Sequence, residues 1–458
     1  MENPIFDYNL ILKYDKPGPR YTSYPTAPNF RKNFGGADYR QAILDSQRRA
    51  PLPPLSLYLH IPFCRAGCWF CGCNVCHTRD RERGWPYLEA VRREVDALRG
   101  TIDAGRRVEQ MHWGGGTPTF LTPEMIRQYF HALRDPFPFE PDAEISIEVD
   151  PRECSDEHLH CLRELGFNRI SMGVQDFNPA VQKAIHRLQP RDLTAHVVEK
   201  GRELGFESIN IDLVYGLPHQ TVEDFRATVD AIIAIDPDRV AVFNFAYLPE
   251  RIKIQRAIKA DTLPLPLEKL KILEMVIGRL CAAGYVFIGM DHFAKPQDEL
   301  TKALRDRTLY RNFQGYTTKA GCDLFGIGAS SISQLQRCYA QNEKDADRYQ
   351  ARVAEGGWAT VVGLNLSDDD LLRRDLITRL MCHFVIYKKE VEDAYGLVWE
   401  ERFRKETEGL KPLEADGLVE LHPDRLVVTP LGRLMVRNIA MVFDAWLDRG
   451  PQAFSRTI

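Results

Sequence analysis

"YLHIPFCRAGCWFCGCNVCHTRDR", residues 58–81, gathers five of the chain's eleven cysteines, Cys64, Cys68, Cys71, Cys73 and Cys76, into one short run. The other six (Cys154, Cys161, Cys281, Cys322, Cys338 and Cys382) are scattered. An odd total in a chain of 458 residues does not read as a disulfide framework. The scattered six read as small buried hydrophobes and the cluster reads as a metal site. Cys64, Cys68 and Cys71 are spaced C-x3-C-x2-C. Structural zinc takes four ligands, often as two C-x2-C knuckles well apart. Here the second knuckle could only be Cys73 and Cys76, immediately adjacent. An iron–sulfur cubane wants soft thiolates and can be wrapped by one short loop. Three cysteines then hold three irons and leave the fourth open to a ligand.

On either side of this run the sequence has a rhythm. Apolar or β-branched runs at 55–61, 108–114, 144–150, 169–175, 208–216 and 239–248 alternate with stretches of helical spacing, such as "YLEAVRREVDALR" (87–99) and "TAHVVEKGRELG" (194–205). Repeated strand–helix units predict an α/β fold with a parallel sheet, a partial (βα)6 barrel of the TIM type. Each run ends in a polar or glycine residue: His60, "GGGT" (114–117), Glu148, Gln175, Asp212 and Asn244. In such barrels the carboxyl ends of the strands build the active site. Any one of these residues could merely cap its strand; six in register point to a site.

The flanks differ. Residues 1–50, with "YDKPGPRYTSYPTAPNFR", predict an extended N-terminal arm. The expected barrel domain covers 51–300, with a small strand at 285–294. "YRNFQGYTTKAGCDLFGIGASSIS" (310–333), rich in glycine and threonine, predicts loops against a site. A mainly helical C-terminal domain is expected over 301–458. Within it, "DDDLLRRDLITRLMCHFVI" (368–386) predicts an amphipathic helix after an acidic turn. "ADGLVELHPDRLVVTPLGRLMVRNIAMVFDAWL" (415–447) reads helix end, two short strands, turn and helix, a winged-helix-like pattern.

Composition narrows the function classes. A formal net charge of −4 argues against nucleic acid as the main partner. A winged helix here is therefore expected to pack over the barrel rather than bind DNA. No run of eighteen apolar residues predicts a membrane span. The N-terminus lacks a basic segment followed by an apolar one, so a cytoplasmic location is expected.

C-x3-C-x-aromatic-C, with Phe70 as the aromatic, resembles the signature of the radical S-adenosylmethionine (SAM) superfamily. "PRYTSYPTA" (19–27), "YLHIPFC" (58–64), "CGCN" (71–74), "HWGGGTPT" (112–119), "AEISIEVDPRE" (143–153), "GFNRISMGVQDFN" (166–178), "NIDLVYGLP" (210–218), "FIGMDHFA" (287–294), "YRNFQGYTT" (310–318) and "FSRTI" (454–458) together resemble the oxygen-independent coproporphyrinogen III oxidases. A haem-binding chaperone on the same barrel is the alternative, but it usually has Cys-Asp-Phe where this chain has "CGCN", and it lacks the arm.

The resemblance implies a [4Fe-4S] cluster on Cys64, Cys68 and Cys71 and two SAM molecules. The first would be lined by Tyr58, Gly115, Glu148 and Ile332, with the Phe70 backbone near its adenine. The second would meet Phe70, Gly116, Thr117, Gln175, Arg187, Asp212 and Ala246. The implied reaction converts two propionates of coproporphyrinogen III to vinyl groups, giving protoporphyrinogen IX. It needs an electron donor and acceptor that the sequence does not identify, and the resemblance suggests a monomer. A tetra-anionic substrate calls for cations; Arg20 and Arg311 are the candidates, with Tyr21, Tyr24, Phe313 and Gln314 framing the ring. Cys73 recurs in the family without a ligand role; Cys76 lies outside its motif.

Overall fold

The computed structural model describes residues 3–447, 454 and 456. It divides into two compact units: Phe30–Leu265 with Gly321–Asn365, and Met1–Asn29 with Pro266–Ala320 and Leu366–Ile458. Of the terminal "FSRTI", only Phe454 and Arg456 lie among the described residues.

The first unit is the expected barrel. Its strands are β1 (Leu55–Ile61), β2 (Val108–Gly115), β3 (Phe139–Val149), β4 (Arg169–Gln175), β5 (Ser208–Tyr215) and β6 (Arg239–Asn244), each parallel to the next. The helices that return the chain include α1 (Gly84–Arg99), α2 (Pro123–Arg134), α3 (Asp156–Glu164), α4 (Arg191–Glu203) and α5 (Val222–Ile235). Their starts are written in the sequence. Thr122, Ser155 and Thr221 each accept a backbone N–H of the first turn of α2, α3 and α5, satisfying donors that the helix itself cannot. In β1 every residue except Tyr58 is buried. Side chains alternate along a strand, so Leu57, Leu59 and Ile61 pack outward while Tyr58 and His60 face the interior.

Two expectations change here. The stretch at 310–333 is not simply loops. Asp323–Ile327 is a fully buried strand, β7, that pairs parallel with β1 on the side away from β2. It continues antiparallel into β8 (Ile332–Leu335), β9 (Cys338–Asn342) and β10 (Thr360–Asn365). Its glycine content reflects close packing: a Cβ on Gly326 would stand 2.7 Å from the Ile332 carbonyl oxygen. Residues 321–365 thus belong with the barrel, not with a C-terminal domain beginning at 301. The arm is also divided. Tyr8–Tyr14 is helical in one unit and Gly36–Ser46 is helical in the other. Both are short, and weak periodicity over so few turns does not stand out in sequence.

The second unit has its own core. The helix Asp368–His383 opens on a Ser367/Asp370 capping box, with Asp368, Asp369 and Asp370 in its first turn, where negative charge is favoured. Val385–Tyr387, Arg425–Val428 and Val419–Leu421 form a three-stranded antiparallel sheet beside the helix Arg404–Ala415. This is the winged-helix-like pattern expected. Two hairpins precede it, Val286–Gly289 with His292–Ala294 and Tyr310–Asn312 with Gly315–Thr317.

Candidate active site at the carboxyl ends of the strands

The cysteine loop leaves β1 and is fastened at several points. Backbone N–H groups of Gly116 and Thr117 donate to the carbonyls of Ile61 and Phe63 at 2.8 and 2.9 Å, which lays the GGGT turn along the loop's entry. Gly116 has no room for a side chain, since a Cβ would sit 2.7 Å from the Phe63 carbonyl oxygen. Gly115, at φ +112°, adopts a left-handed conformation, and a Cβ there would strike the His60 ring. Further on, Trp69 stacks on His186 with 5.4 Å between centroids, and Trp69 N donates to the Ile185 carbonyl at 2.9 Å. This contact brings Arg187 to the loop.

Each of the three predicted ligand sulfurs has its own neighbour. Cys64 Sγ lies 3.4 Å from Thr117 Oγ1, and burial pushes its thiol up to about 12. Cys68 Sγ lies 3.5 Å from Arg187 Nη1 and 3.6 Å from Arg152 Nη2. Cys71 Sγ accepts from the Cys73 N–H at 3.4 Å, and a hydrogen bond from the Cys73 side chain leads the effects that lower its thiol to about 7. Cys73 thus has a physical role, as donor to the Cys71 sulfur. Cys76 is drawn aside, with its N–H on the Pro62 carbonyl and its sulfur 2.9 Å from Arg83 Nη1. Among the described residues, no three Cys, His, Asp or Glu groups are gathered tightly enough to chelate one metal ion. Three thiols on one short loop are the soft donors an iron–sulfur cubane takes, one to each of three irons.

Inside the barrel a polar row crosses the strands. Tyr58 stacks on His112 at 5.9 Å, and the Tyr58 hydroxyl is 3.1 Å from His60 Nδ1. His60 Nε2 is 2.9 Å from the Asn74 carbonyl, so it donates there and Nδ1 accepts from Tyr58. Burial lowers the His60 imidazole's affinity for a proton, which keeps it neutral. His112 reaches Ser146 Oγ at 2.7 Å and Glu148 Oε1 at 3.5 Å, while Gly115 N–H donates to Glu148 Oε2 at 3.1 Å. Burial alone would raise Glu148, but the hydrogen bond and charge of His112, with the Gly115 amide, outweigh it and hold the carboxyl below its ordinary range. Protein surrounds this carboxylate, yet 45% of its side-chain surface stays accessible, as a ligand-binding group requires. Asp212 is the opposite case. Burial pushes it up to about 7, against a 2.7 Å hydrogen bond from Asn210 Nδ2.

Of the positions expected around a second ligand, Phe70 and Ala246 are joined by one buried side chain. Gln255, 1% exposed, donates through Nε2 to the carbonyls of Phe70 and Ala246, both at 3.1 Å. Arg187 is buried with Nε on Gln189, Nη1 on Asp150 and Cys68, and Nη2 on the Gly173 carbonyl at 2.7 Å. Of its five N–H groups, one on Nη2 is left for a ligand. Gln175 ends β4 at φ +71°, and Asn244 Oδ1 at the end of β6 is buried without a hydrogen-bond partner. Ile332 begins β8 beside Gly326, which faces Tyr58 across the β1–β7 pair.

Known proteins resemble this chain over nearly its whole length. Residues 58–232 match the model of the radical SAM superfamily, and 366–435 match that of the HemN C-terminal domain. The oxygen-independent coproporphyrinogen III oxidase of Escherichia coli K12 is 48% identical over 455 residues, 99% of this chain and 98% of that protein. The Pseudomonas aeruginosa enzyme of the same name is 46% identical over 456 residues, 99% of each chain. This chain belongs to the oxygen-independent coproporphyrinogen III oxidases. The fold agrees: a solved structure of the Escherichia coli coproporphyrinogen III oxidase, described as a radical SAM enzyme, superposes with a TM-score of 0.93 at 46% identity, covering 97% of this chain and all of that one. As a member of this radical SAM family the chain is an oxidoreductase of porphyrin biosynthesis, and the superfamily implies a [4Fe-4S] cluster and SAM. The haem-chaperone alternative is not favoured, because the full-length relatives carry the oxidase name. Among the described residues, no helix is long and apolar enough to cross a membrane.

Several supporting residues escaped the sequence reading. Tyr87 donates to the His60 carbonyl at 2.9 Å and accepts from Ala329 N at 2.7 Å. Glu94, fully inside the unit, accepts from Gly328 N at 2.8 Å, Asn342 Nδ2 at 2.6 Å and the Tyr349 hydroxyl at 2.6 Å. Together they hold the turn that presents Ile332. Both lie on the apolar face of α1, where a helical pattern predicts only core. His112 and Arg152 sat within recognised motifs, and only their distances assign them partners.

The substrate candidates lie in the second unit, in two different states. Tyr21 and Tyr24 are 4% and 1% exposed. Tyr21 donates to Asp444 Oδ2 at 2.9 Å, and Tyr24 Oη accepts from Ala445 N at 2.9 Å. Both anchor the N-terminal segment in this unit's core. Arg20 is ion-paired with Asp291. Arg311 is 7% exposed with its guanidinium over the Tyr316 ring at 4.8 Å, yet its Nε and Nη1 have no hydrogen-bond partner. Nε2 of Gln314, three residues on in the same hairpin, is likewise unpartnered, and Phe313 between them is half-buried.

Proposed function

We propose that this chain catalyses the oxidative decarboxylation of two propionate side chains of coproporphyrinogen III to vinyl groups, yielding protoporphyrinogen IX. The observation that carries the reading is the loop Cys64–Cys71, with three sulfurs set apart on separate partners at the mouth of a polar barrel row. Cys64, Cys68 and Cys71 would hold the cluster. Tyr58, Gly115, Glu148 and Ile332 would hold one SAM, and Phe70, Gly116, Thr117, Gln175, Arg187, Asp212 and Ala246 a second. When bound, the cluster and SAM supply the one-electron chemistry that a saturated propionate carbon requires.

The chain's own residues position, shield and poise. Glu148, kept ionised, offers acceptors to hydroxyl groups at the strand ends. Asp212 retains a proton near neutrality and can donate as well as accept. Neutral His60 braces Tyr58 against the loop without adding charge beside the sulfurs. Arg311 and Gln314 supply unpaired buried donors of the kind that receive a propionate carboxylate. Their emptiness favours Arg311 over the already paired Arg20 as the substrate cation.

The test is an anaerobic assay of the reconstituted protein with SAM, a low-potential one-electron reductant and coproporphyrinogen III. Protoporphyrinogen IX should form, with two SAM molecules bound per chain at equilibrium. A stoichiometry of one, unchanged by Asp212→Ala, removes the second SAM site. Cluster and SAM binding without conversion of either propionate overturns the reaction.

A further inference from the structure

The three sulfurs differ in what surrounds them. Cys64 has a neutral hydroxyl beside it and Cys71 a backbone amide, whereas Cys68 has two guanidiniums. Asp150 holds both of these cations. Arg152 Nε reaches Asp150 Oδ1 at 3.0 Å and Arg152 Nη2 reaches Oδ2 at 2.6 Å. Arg187 Nη1 reaches the same Oδ2 at 3.1 Å. Asp150 and Arg152 belong to one tight turn, Pro151–Glu153 with Asp150 as its cap, at the end of β3. The fork on Asp150 fixes the guanidinium, and the donor then left over points at Cys68. Side-chain exposure is 9% for Asp150, 8% for Arg187 and 22% for Arg152, so solvent screens these charges weakly.

We infer that Arg152, clamped by Asp150, is a positioning residue that raises the reduction potential of the cluster through the sulfur of Cys68. This rests on the reading of Cys68 as a ligand. The physical ground is general: hydrogen bonds to a ligand sulfur and net positive charge near an iron–sulfur cluster stabilise its reduced, more negative state. Two cations and one anion at Cys68 leave one net positive charge on that side. Asp150 has an opposing effect, as it fixes the geometry and offsets part of the charge. Arg187 is less suited to testing this, because it also reaches the Gly173 carbonyl and Gln189.

The experiment is a potentiometric titration of the reconstituted full-length protein without SAM, with dithionite as the electron donor and the EPR signal of the reduced cluster as readout. Iron content and Tm are measured alongside. Arg152→Gln is expected to keep its iron and lower the reduced-to-oxidised ratio at any set potential about tenfold, a midpoint about 59 mV more negative for one electron. Arg152→Lys, which keeps the charge but loses the fork on Asp150, is expected to lower the midpoint by less. A fully loaded Arg152→Gln protein with an unchanged or more positive midpoint overturns the inference. Should that variant not hold a cluster, Arg152→Lys decides alone, and an unchanged or more positive midpoint overturns it. Full iron and a native signal in Cys68→Ser would instead remove the ligand reading on which the inference stands.

Discussion

Arg187 in the barrel and Arg311 in the second unit are both buried cations, and they are in opposite states. All but one of the Arg187 N–H groups are committed to Gln189, Asp150, Cys68 and the Gly173 carbonyl. Arg311 leaves Nε and Nη1 without partners over the Tyr316 ring. A saturated buried cation is a fixed part of the scaffold, since its desolvation is already offset. An unsaturated one is held at a cost that a ligand carboxylate would relieve. The same contrast runs through each region. The barrel row is cross-braced from Tyr58 to Glu148, while the hairpin at 310–317 leaves donors open.

The most severe break is in the barrel. Cys64→Ser, Cys68→Ser and Cys71→Ser should each abolish cluster assembly and turnover, because a hard alkoxide is a poor iron ligand beside sulfide. Cys76→Ser, its sulfur engaged with Arg83, should keep both. Iron analysis checks this, and retention in Cys64→Ser with loss in Cys76→Ser would reverse the assignment.

Next comes the saturated row. Glu148→Ala removes a charged acceptor, worth about 1.5–3 kcal/mol per hydrogen bond, or roughly 10–100-fold. SAM cleavage by the reduced protein should fall by that factor even without porphyrinogen.

The unsaturated side should respond differently. Arg311→Met should raise KM for coproporphyrinogen III about tenfold, the low end of the same range. Iron content and substrate-free SAM cleavage should stay unchanged. Tm should hold or rise, because two unsatisfied buried donors are removed. A drop in Tm with unchanged KM would mark Arg311 as scaffold.

The mildest effect is on pH dependence. Asp212 is raised to about 7 in the fold, so the folded state holds a proton that the unfolded state releases above the ordinary carboxyl range. Its contribution to stability is full at low pH and is lost as pH rises towards 7. Glu148, held below its ordinary range, contributes in the opposite sense, with stability lost as pH falls through its folded value. Asp212→Asn should therefore flatten the decline in Tm between about pH 4 and 7. An unchanged slope would show that Asp212 is not the group responsible.

Much of the barrel was legible in the sequence. Parallel strands buried on both faces read as apolar runs, and their polar ends are visible as interruptions, so β1–β6, His60, Glu148 and Asp212 could be placed by pattern. β7 was not legible. Its glycine, Gly326, is needed for close backbone approach to Ile332, and in a linear sequence glycine signals a loop. Phe70 and Ala246, expected around a second ligand, show a similar limit, since they are joined through Gln255, which lies 185 residues from Phe70.

What the sequence by itself determined is the local chemistry: which residues can ligate iron, where strands end and where helices begin. These depend on spacing along the chain and on side-chain type. What only the tertiary structure decided is which polar groups are already satisfied. Tyr21 and Tyr24 turned out to be core anchors, Arg187 a fixed brace and Arg311 a cation with open donors. Burial and hydrogen-bond saturation depend on groups brought together across hundreds of residues, such as Tyr21 with Asp444, and no local pattern encodes that pairing.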